Sequence, residues 1–304
     1  MTDASPTRPA SRLVTRFAPS PTGRLHLGHA FSALVAAEAA AEDGGTFLLR
    51  IEDIDQGRAR AEYEAGIFED LRWLGLSWPE PVRRQSEHFD LYREFLHVLE
   101  EGGVAYPCFC TRKEIQAEID AADSAPHGPD GPLYPGTCKG LSRGAVEDRM
   151  AEGRAYAVRL DMEKAARMTG PLSFTDRRFG EVAVEHETCG DVVLARKDVP
   201  TSYHLSVVVD DALQGVTLVT RGEDLLHATH IHRVLQTLLG LPAPAYHHHP
   251  LLTDETGKRL AKRADSESLA ALRDAGWTPE RVRAEIAARA GVSQGDVSQG
   301  GGDD

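Results

Sequence analysis

Apolar positions along this chain fall into two rhythms. Residues 13–18 and Thr46–Ile51 (TFLLRI) are short apolar-rich runs, which predict buried strands. Between them Leu27–Glu42 (LGHAFSALVAAEAAAE) is dense in good helix formers, and Gly44-Gly45 stops it. Apolar residues three and four apart predict helices over 62–74 and 86–101. The order strand, helix, strand, helix, helix predicts a parallel sheet with crossover helices.

The rhythm changes after Gly103. Residues 104–138 hold three cysteines and then DSAPHGPDGPLYPG, a loop-like stretch. The segments AYAVRL, GPLSFTDRRFGEVAVE and DVVLAR, within 155–196, predict strands and hairpins. This region is expected to be an insertion that splits an α/β domain. Residues 206–209 and 216–220 predict strands, 224–239 a helix ending at Gly240, and HHHPLL a short strand and loop. Helices are expected over 267–275 and 279–290. There is no internal repeat. The expected organisation is a flexible arm (1–12), the first half of the α/β domain (13–103), the insertion (104–195), the second half (196–250), a basic loop with a helical region (251–290) and a disordered tail (291–304).

Composition narrows the function classes. Lys+Arg 34 against Asp+Glu 47 gives a net charge of −13, which argues against gripping nucleic acid through bulk positive charge. A local basic groove is still allowed. No run of apolar residues is long enough to span a membrane, and MTDASPTRPASR lacks the apolar core of a signal peptide. Four cysteines in 304 residues do not make a disulfide scaffold, so a reducing cytoplasm is expected.

The candidate chemistry begins in RFAPSPTGRLHLGHA, residues 16–30. A strand, a glycine-bearing turn and a helix hold phosphate through free N–H groups and the positive helix end. His26 and His29 project near that end, where imidazoles hydrogen-bond a triphosphate and follow developing charge. Gly28 permits close approach of a nucleotide. The pattern is neither G-x-G-x-x-G nor Walker A. Two surface histidines, or half of a metal site, are the plainer readings of H-x-x-H.

The whole string resembles the signature of the class I aminoacyl-tRNA synthetases, whose HIGH tetrapeptide appears here as His26-Leu27-Gly28-His29. RFAPSPTG resembles the glutamyl and glutaminyl branch. The second signature of that class, KMSKS, is matched by Arg259-Leu260-Ala261-Lys262-Arg263 in GKRLAKR, with Arg for the first Lys and Ala for the Ser. Alone, such a run reads as a solvated loop. The resemblance implies a Rossmann-like nucleotide-binding fold of the α/β class. It implies His26, His29 and Lys262 as catalytic residues, and ATP held by Pro19, Gly28, His26, His29, Arg259 and Lys262, with Mg²⁺ accompanying the ATP.

Glutamate as substrate requires two carboxylates and one ammonium to be paired. Arginine suits a carboxylate because its fork is bidentate, and Glu52, at the end of a predicted strand, suits an ammonium. The resemblance implies a glutamate site of Arg16, Ala18, Ser20, Glu52, Tyr203 and Arg221. Which arginine meets which carboxylate stays open. Glu52 also reads as a partner of Arg50 or Arg58, and Tyr203 as core.

Cys108, Cys110 and Cys138 form C-x-C followed by a third cysteine, a metal-like pattern. The plain reading is small buried hydrophobes. General zinc chemistry points to His127 as fourth ligand, whereas the resemblance points to Tyr134, in Y-x-x-x-C. One structural zinc is expected, pinning the insertion. Cys189 fits neither pattern and reads as a buried thiol.

About forty residues follow Arg263, too few for an anticodon-reading domain. In this the chain is similar to the glutamyl-Q tRNA(Asp) synthetases. The resemblance then implies activation of L-glutamate with ATP and transfer to queuosine at the wobble position of tRNA(Asp), by a monomer with no membrane attachment. A short discriminating glutamyl-tRNA synthetase and a non-catalytic synthetase-like binding protein are the alternatives. Basic residues within 8–24 and 258–263 are expected to line the mouth of the site.

Overall fold

The computed structural model describes residues 12–42, 44–121, 127–128, 131–252 and 268–290. The arm before residue 12, the KMSKS-like stretch with Arg259 and Lys262, and the tail lie outside the described residues.

The elements run β1 (Val14–Phe17), α1 (Leu27–Glu42), β2 (Thr46–Ile51), α2 (Ala61–Trp73), β3 (Arg83–Arg84), α3 (Phe89–Glu101) and β4 (Ala105–Cys108). Then come α4 (Arg112–Ala121), β5 (His127–Gly128), β6 (Gly131–Pro132), α5 (Arg143–Ala151), β7 (Ala157–Leu160), α6 (Met162–Thr169), β8 (Ser173–Asp176), β9 (Gly180–Ala183) and β10 (Val193–Ala195). The chain continues with α7 (Tyr203–Leu213), β11 (Leu218–Gly222), α8 (Leu226–Leu238), β12 (Ala245–His249), α9 (Leu269–Asp274) and α10 (Pro279–Arg289).

Strands β1, β2 and β3 pair in parallel, as the strand–helix rhythm predicts. β11 and β12 are also parallel, and β12 continues in parallel to β8. The two groups meet where Val14 N–H donates to Thr217 Oγ1 (2.9 Å) and Thr217 N–H donates to the Val14 carbonyl (2.9 Å). Strands β4, β7 and β10 form a separate antiparallel sheet. The β8–β9 hairpin falls inside the 104–195 segment, yet it joins the sheet of β11 and β12.

The two larger of the four hydrophobic clusters among the described residues follow from this. One packs α1, β1, β2 and α2 against the C-terminal helices, through Ile67, Leu71, Leu269, Val282 and Ile286. The other packs α3, β7, β10 and α6 against α7 and α8, through Leu160, Leu194, Leu205, Val209 and Leu235. Each fully buried aliphatic side chain contributes roughly 1.5–3 kcal/mol relative to exposure.

One expectation is corrected. Residues 206–209 are helical, in the middle of α7. Val207, Val208 and Val209 are buried, and so are Asp210 and Asp211 that follow. A short run buried on all sides carries no periodicity, so β-branched valines read as strand. Helices α4, α5 and α6 were not legible either; all three are short and carry a largely polar surface.

Candidate active site

The carboxyl ends of β1, β2, β11 and β12, with the start of α1, surround a cavity of about 560 Å³. Arg16, Ala18, His26, Gly28, His29, Glu52, Tyr203 and Arg221, all expected from the sequence, line it together. A crevice at the carboxyl ends of parallel strands is where open α/β sheets bind ligands.

The two histidines form the entrance to α1. The Gly28 N–H donates to Nδ1 of His26 (3.1 Å), and the His26 N–H donates to Nδ1 of His29 (3.2 Å). The rings lie 3.8 Å apart between centroids. With both Nδ1 atoms accepting, the neutral rings carry their protons on Nε2 and can donate to phosphate. A Cβ at Gly28 would stand 3.0 Å from Cε1 of His26, so a larger residue there requires the His26 ring to shift.

Arg221 is buried, and each of its direct partners is neutral. It donates to Nε2 of His248 (3.1 Å), the Tyr203 hydroxyl (3.2 Å), Nδ1 of His232 (3.3 Å) and the Thr229 hydroxyl. His248 in turn faces Asp176 through Nδ1 (2.7 Å), and His232 faces Nδ1 of His204 (3.2 Å). Burial lowers His248 to about 4, with Arg221 adding to the effect; burial also lowers His204 to about 4 and His232 well below its usual value. The imidazoles are therefore neutral acceptors for Arg221. No described carboxylate lies within ion-pair distance of this guanidinium, which leaves it to be matched by an anion in the cavity.

Arg16 differs. Its Nε and Nη2 hold both oxygens of Asp211 (3.0 and 3.3 Å), and Nη1 donates to the Thr220 carbonyl (3.3 Å). Asp211 also accepts from Arg50 (2.7 Å), and Arg50 holds Glu52 (3.0 Å). Burial alone would raise Asp211, but Arg16 and Arg50 outweigh it and keep the carboxylate below the usual range. Burial raises Glu52 despite Arg50 and Arg16, so an arriving ammonium would favour its charged form.

Two expected residues stand elsewhere. Ser20 is exposed and lines a second cavity on the far side of Glu52. Pro19 is buried, and its carbonyl accepts from the Glu52 N–H (3.0 Å). Asp211, His232, His248 and Asp176 were not expected from the sequence, and Arg50 was expected only as a partner of Glu52, which it is. The HHH run at 247–249 was the available signal: His249 lines the cavity and meets the Ser32 hydroxyl at 3.0 Å.

The three expected cysteines converge, with their Sγ atoms all within 4.8 Å of one another. The Tyr134 hydroxyl lies 3.3 Å from Cys108 Sγ and 3.5 Å from Cys110 Sγ, and it accepts from the Cys138 N–H (3.0 Å). A tetrahedral zinc site with Zn–S of about 2.3 Å has sulfur–sulfur edges of about 3.8 Å, so this cluster fits a metal with little movement. Burial raises the Cys110 thiol to about 11 and the Tyr134 phenol strongly, so metal binding would displace protons. The side chain of His127 lies outside the described residues. Cys189 is apart from the cluster, buried, and raised by that burial to about 12.

Comparison with known proteins agrees with this geometry. The family model for the catalytic domain of class I tRNA synthetases (E and Q) matches residues 12–299. A glutamyl-Q tRNA(Asp) synthetase of Rhodobacter capsulatus is 51% identical over 89% of this chain and 98% of its own length. A glutamate–tRNA ligase of Aquifex aeolicus is 41% identical over 90% of this chain and 56% of its own. Among solved structures, a glutamate tRNA ligase from Elizabethkingia meningosepticum, in complex with its amino acid, superimposes with a TM-score of 0.71 at 29% identity. The match covers 88% of this chain and 54% of that one, so the chain spans about half the length of that structure. The chain belongs to the catalytic-domain family of the class I tRNA synthetases for glutamate and glutamine.

Proposed function

We propose that this protein activates L-glutamate with ATP and transfers it to queuosine at the wobble position of tRNA(Asp). The observation that carries the glutamate reading is Arg221, a buried cation with neutral partners opening onto a cavity that also holds Glu52. The side-chain carboxylate pairs with Arg221, and the ammonium with Glu52. The α-carboxylate then lies toward His26 and His29, beside the triphosphate. Arg16, already held by Asp211, contributes its remaining N–H and fixes the wall.

In the first step an oxygen of the α-carboxylate attacks the α-phosphorus of ATP. A mixed anhydride forms and pyrophosphate leaves. His26 and His29 donate through Nε2–H as charge builds on the phosphate oxygens, and Lys262 draws off the pyrophosphate charge. Bound with ATP, Mg²⁺ would supply neutralisation of the phosphate charge. In the second step a hydroxyl of the queuosine cyclopentenediol attacks the anhydride carbonyl. The ester bond forms, AMP leaves with the electron pair, and the hydroxyl proton passes to solvent. Positioning supplies much of the rate.

A structural zinc at Cys108, Cys110 and Cys138, with Tyr134 as fourth ligand, would pin the insertion beside the site. The choice of acceptor is supported by the higher identity to proteins named glutamyl-Q tRNA(Asp) synthetase, at 51%, 45% and 43%, than to the glutamate–tRNA ligase of Aquifex aeolicus at 41%. The test uses labelled glutamate, ATP, and tRNA(Asp) with and without queuosine. Label on the queuosine-bearing tRNA alone is expected. Label on tRNA(Glu) instead would overturn the choice of acceptor.

A further inference from the structure

Strand β8 belongs to the insertion by sequence, yet its last residue supports Arg221 through the neighbouring strand β12. Asp176 is 1% exposed and does not line the cavity. Each of its oxygens meets two groups. Oδ1 accepts from the Arg178 N–H (2.8 Å) and the Phe179 N–H (3.0 Å), which closes the turn between β8 and β9. Oδ2 accepts from the His248 N–H (3.1 Å) and faces Nδ1 of the same residue at 2.7 Å. Burial alone would raise Asp176, but His248 and the Arg178 and Phe179 N–H groups outweigh it and keep the carboxylate below the usual range.

A carboxylate oxygen only accepts, so the Nδ1 that faces it carries the ring proton. Nε2 is then bare. The Nε–H of Arg221 meets that atom at 3.1 Å, and the Thr229 hydroxyl lies 3.1 Å from it. The opposite tautomer would set a ring N–H against a guanidinium N–H, and arginine has no acceptor to offer in exchange. The carboxylate at the end of β8 thus selects the form of His248 that Arg221 can bond to.

We infer that Asp176 is a positioning residue for glutamate binding: it holds His248 in the tautomer whose bare Nε2 accepts from Arg221, and so aims the guanidinium into the cavity. This rests on the reading of Arg221 as partner of the substrate's side-chain carboxylate. It gives the insertion a part in the first step, through a residue that touches no substrate.

The experiment uses Asp176→Asn in the full chain. The amide keeps the shape of the carboxylate but brings two N–H donors. Turned to the hairpin, they would face two backbone N–H groups; turned to the ring, they require only that the imidazole move its proton to Nε2. The ladder between β8 and β9 and the Arg178–Glu223 pair still hold the hairpin. In pyrophosphate exchange, KM for glutamate should rise about 3- to 10-fold, the worth of one hydrogen bond, with kcat and KM for ATP within about twofold of wild type. Nitrogen chemical shifts of protein made with isotope-labelled histidine should show Nδ1–H for His248 in wild type and Nε2–H in the variant. His248→Gln identifies the signal by its loss. An Nε2–H tautomer in wild type would overturn the inference, whether or not the variant folds. So would a variant that loses Tm yet keeps the wild-type KM for glutamate. If wild type shows no glutamate-dependent exchange, the reaction proposed above fails, while the wild-type tautomer still decides whether Asp176 sets His248.

Discussion

The Nε–H of Arg221 lies 3.1 Å from Nε2 of His248, and both side chains are buried. Asp176 receives the other ring nitrogen of His248 at 2.7 Å. An imidazole thus stands between a cation and a carboxylate that never touch, and it keeps Arg221 oriented without neutralising it. A carboxylate in direct contact would have taken the charge that a substrate anion needs.

Arg221→Lys should therefore raise KM for glutamate at least about tenfold in pyrophosphate exchange while KM for ATP changes little. Lysine keeps the charge but loses the fork that meets His248, Tyr203, His232 and Thr229 together. Equal rises in both constants would show a general collapse of the site.

His248 also carries a pH signature. Its folded value is about 4, below the ordinary histidine value near 6.5. Below about 6.5 the unfolded chain takes up a proton that the folded protein refuses. The stability due to neutral His248 is present in full above that pH and declines as pH falls toward about 4, by up to about 3 kcal/mol. His204 acts in the same direction over the same window. Urea unfolding from about pH 7 to about pH 5 should show this loss, and His248→Gln should make the dependence shallower. An equally steep variant would remove His248 from the account.

Asp211→Asn tests the other side of the pocket. One carboxylate there serves Arg16 and Arg50, both buried. Removing its charge leaves two guanidiniums short of a partner, and breaking a buried pair costs about 3–5 kcal/mol. The urea midpoint should fall accordingly. In variant that remains folded, KM for glutamate should rise because Arg50 also holds Glu52.

Gly28→Ala separates stability from chemistry. Alanine is the better helix former by about 1 kcal/mol, but its Cβ would press on the His26 ring at 3.0 Å. Tm should hold or rise slightly, while the exchange rate should drop about 10- to 100-fold as the imidazoles shift. A variant with full exchange would show that His26 does not need its present position.

Atomic absorption on freshly purified protein should find about one zinc per chain. Cys110→Ser should lose it and lower Tm, since metal affinity here is folding energy. Tyr134→Phe should keep the fold but bind zinc more weakly, because the phenol that contacts two of the thiols is gone. Metal-free wild type would leave the cysteines as buried hydrophobes.

Local pattern alone determined a good part of this protein. Thr46–Ile51 and Leu27–Glu42 were legible because a buried parallel strand is an apolar-rich run and an alanine-rich stretch stopped by Gly44-Gly45 is a helix. The 16–30 stretch revealed its histidines for a similar reason: the turn, the glycine and the helix start are contiguous. Cys108, Cys110 and Cys138 were legible by residue type, and folding then set Tyr134 against them. Residues 206–209 were misread because burial on every side erases the period that separates helix from strand. The rest belongs to tertiary structure. Arg16 meets Asp211 across 195 positions, Arg50 meets it across 161, and His248 meets Asp176 across 72. No spacing rule joins such pairs. Which arginine is matched and which is left for a ligand depends on where two halves of a sheet, separated by an insertion, come to rest relative to α7, which carries Asp211.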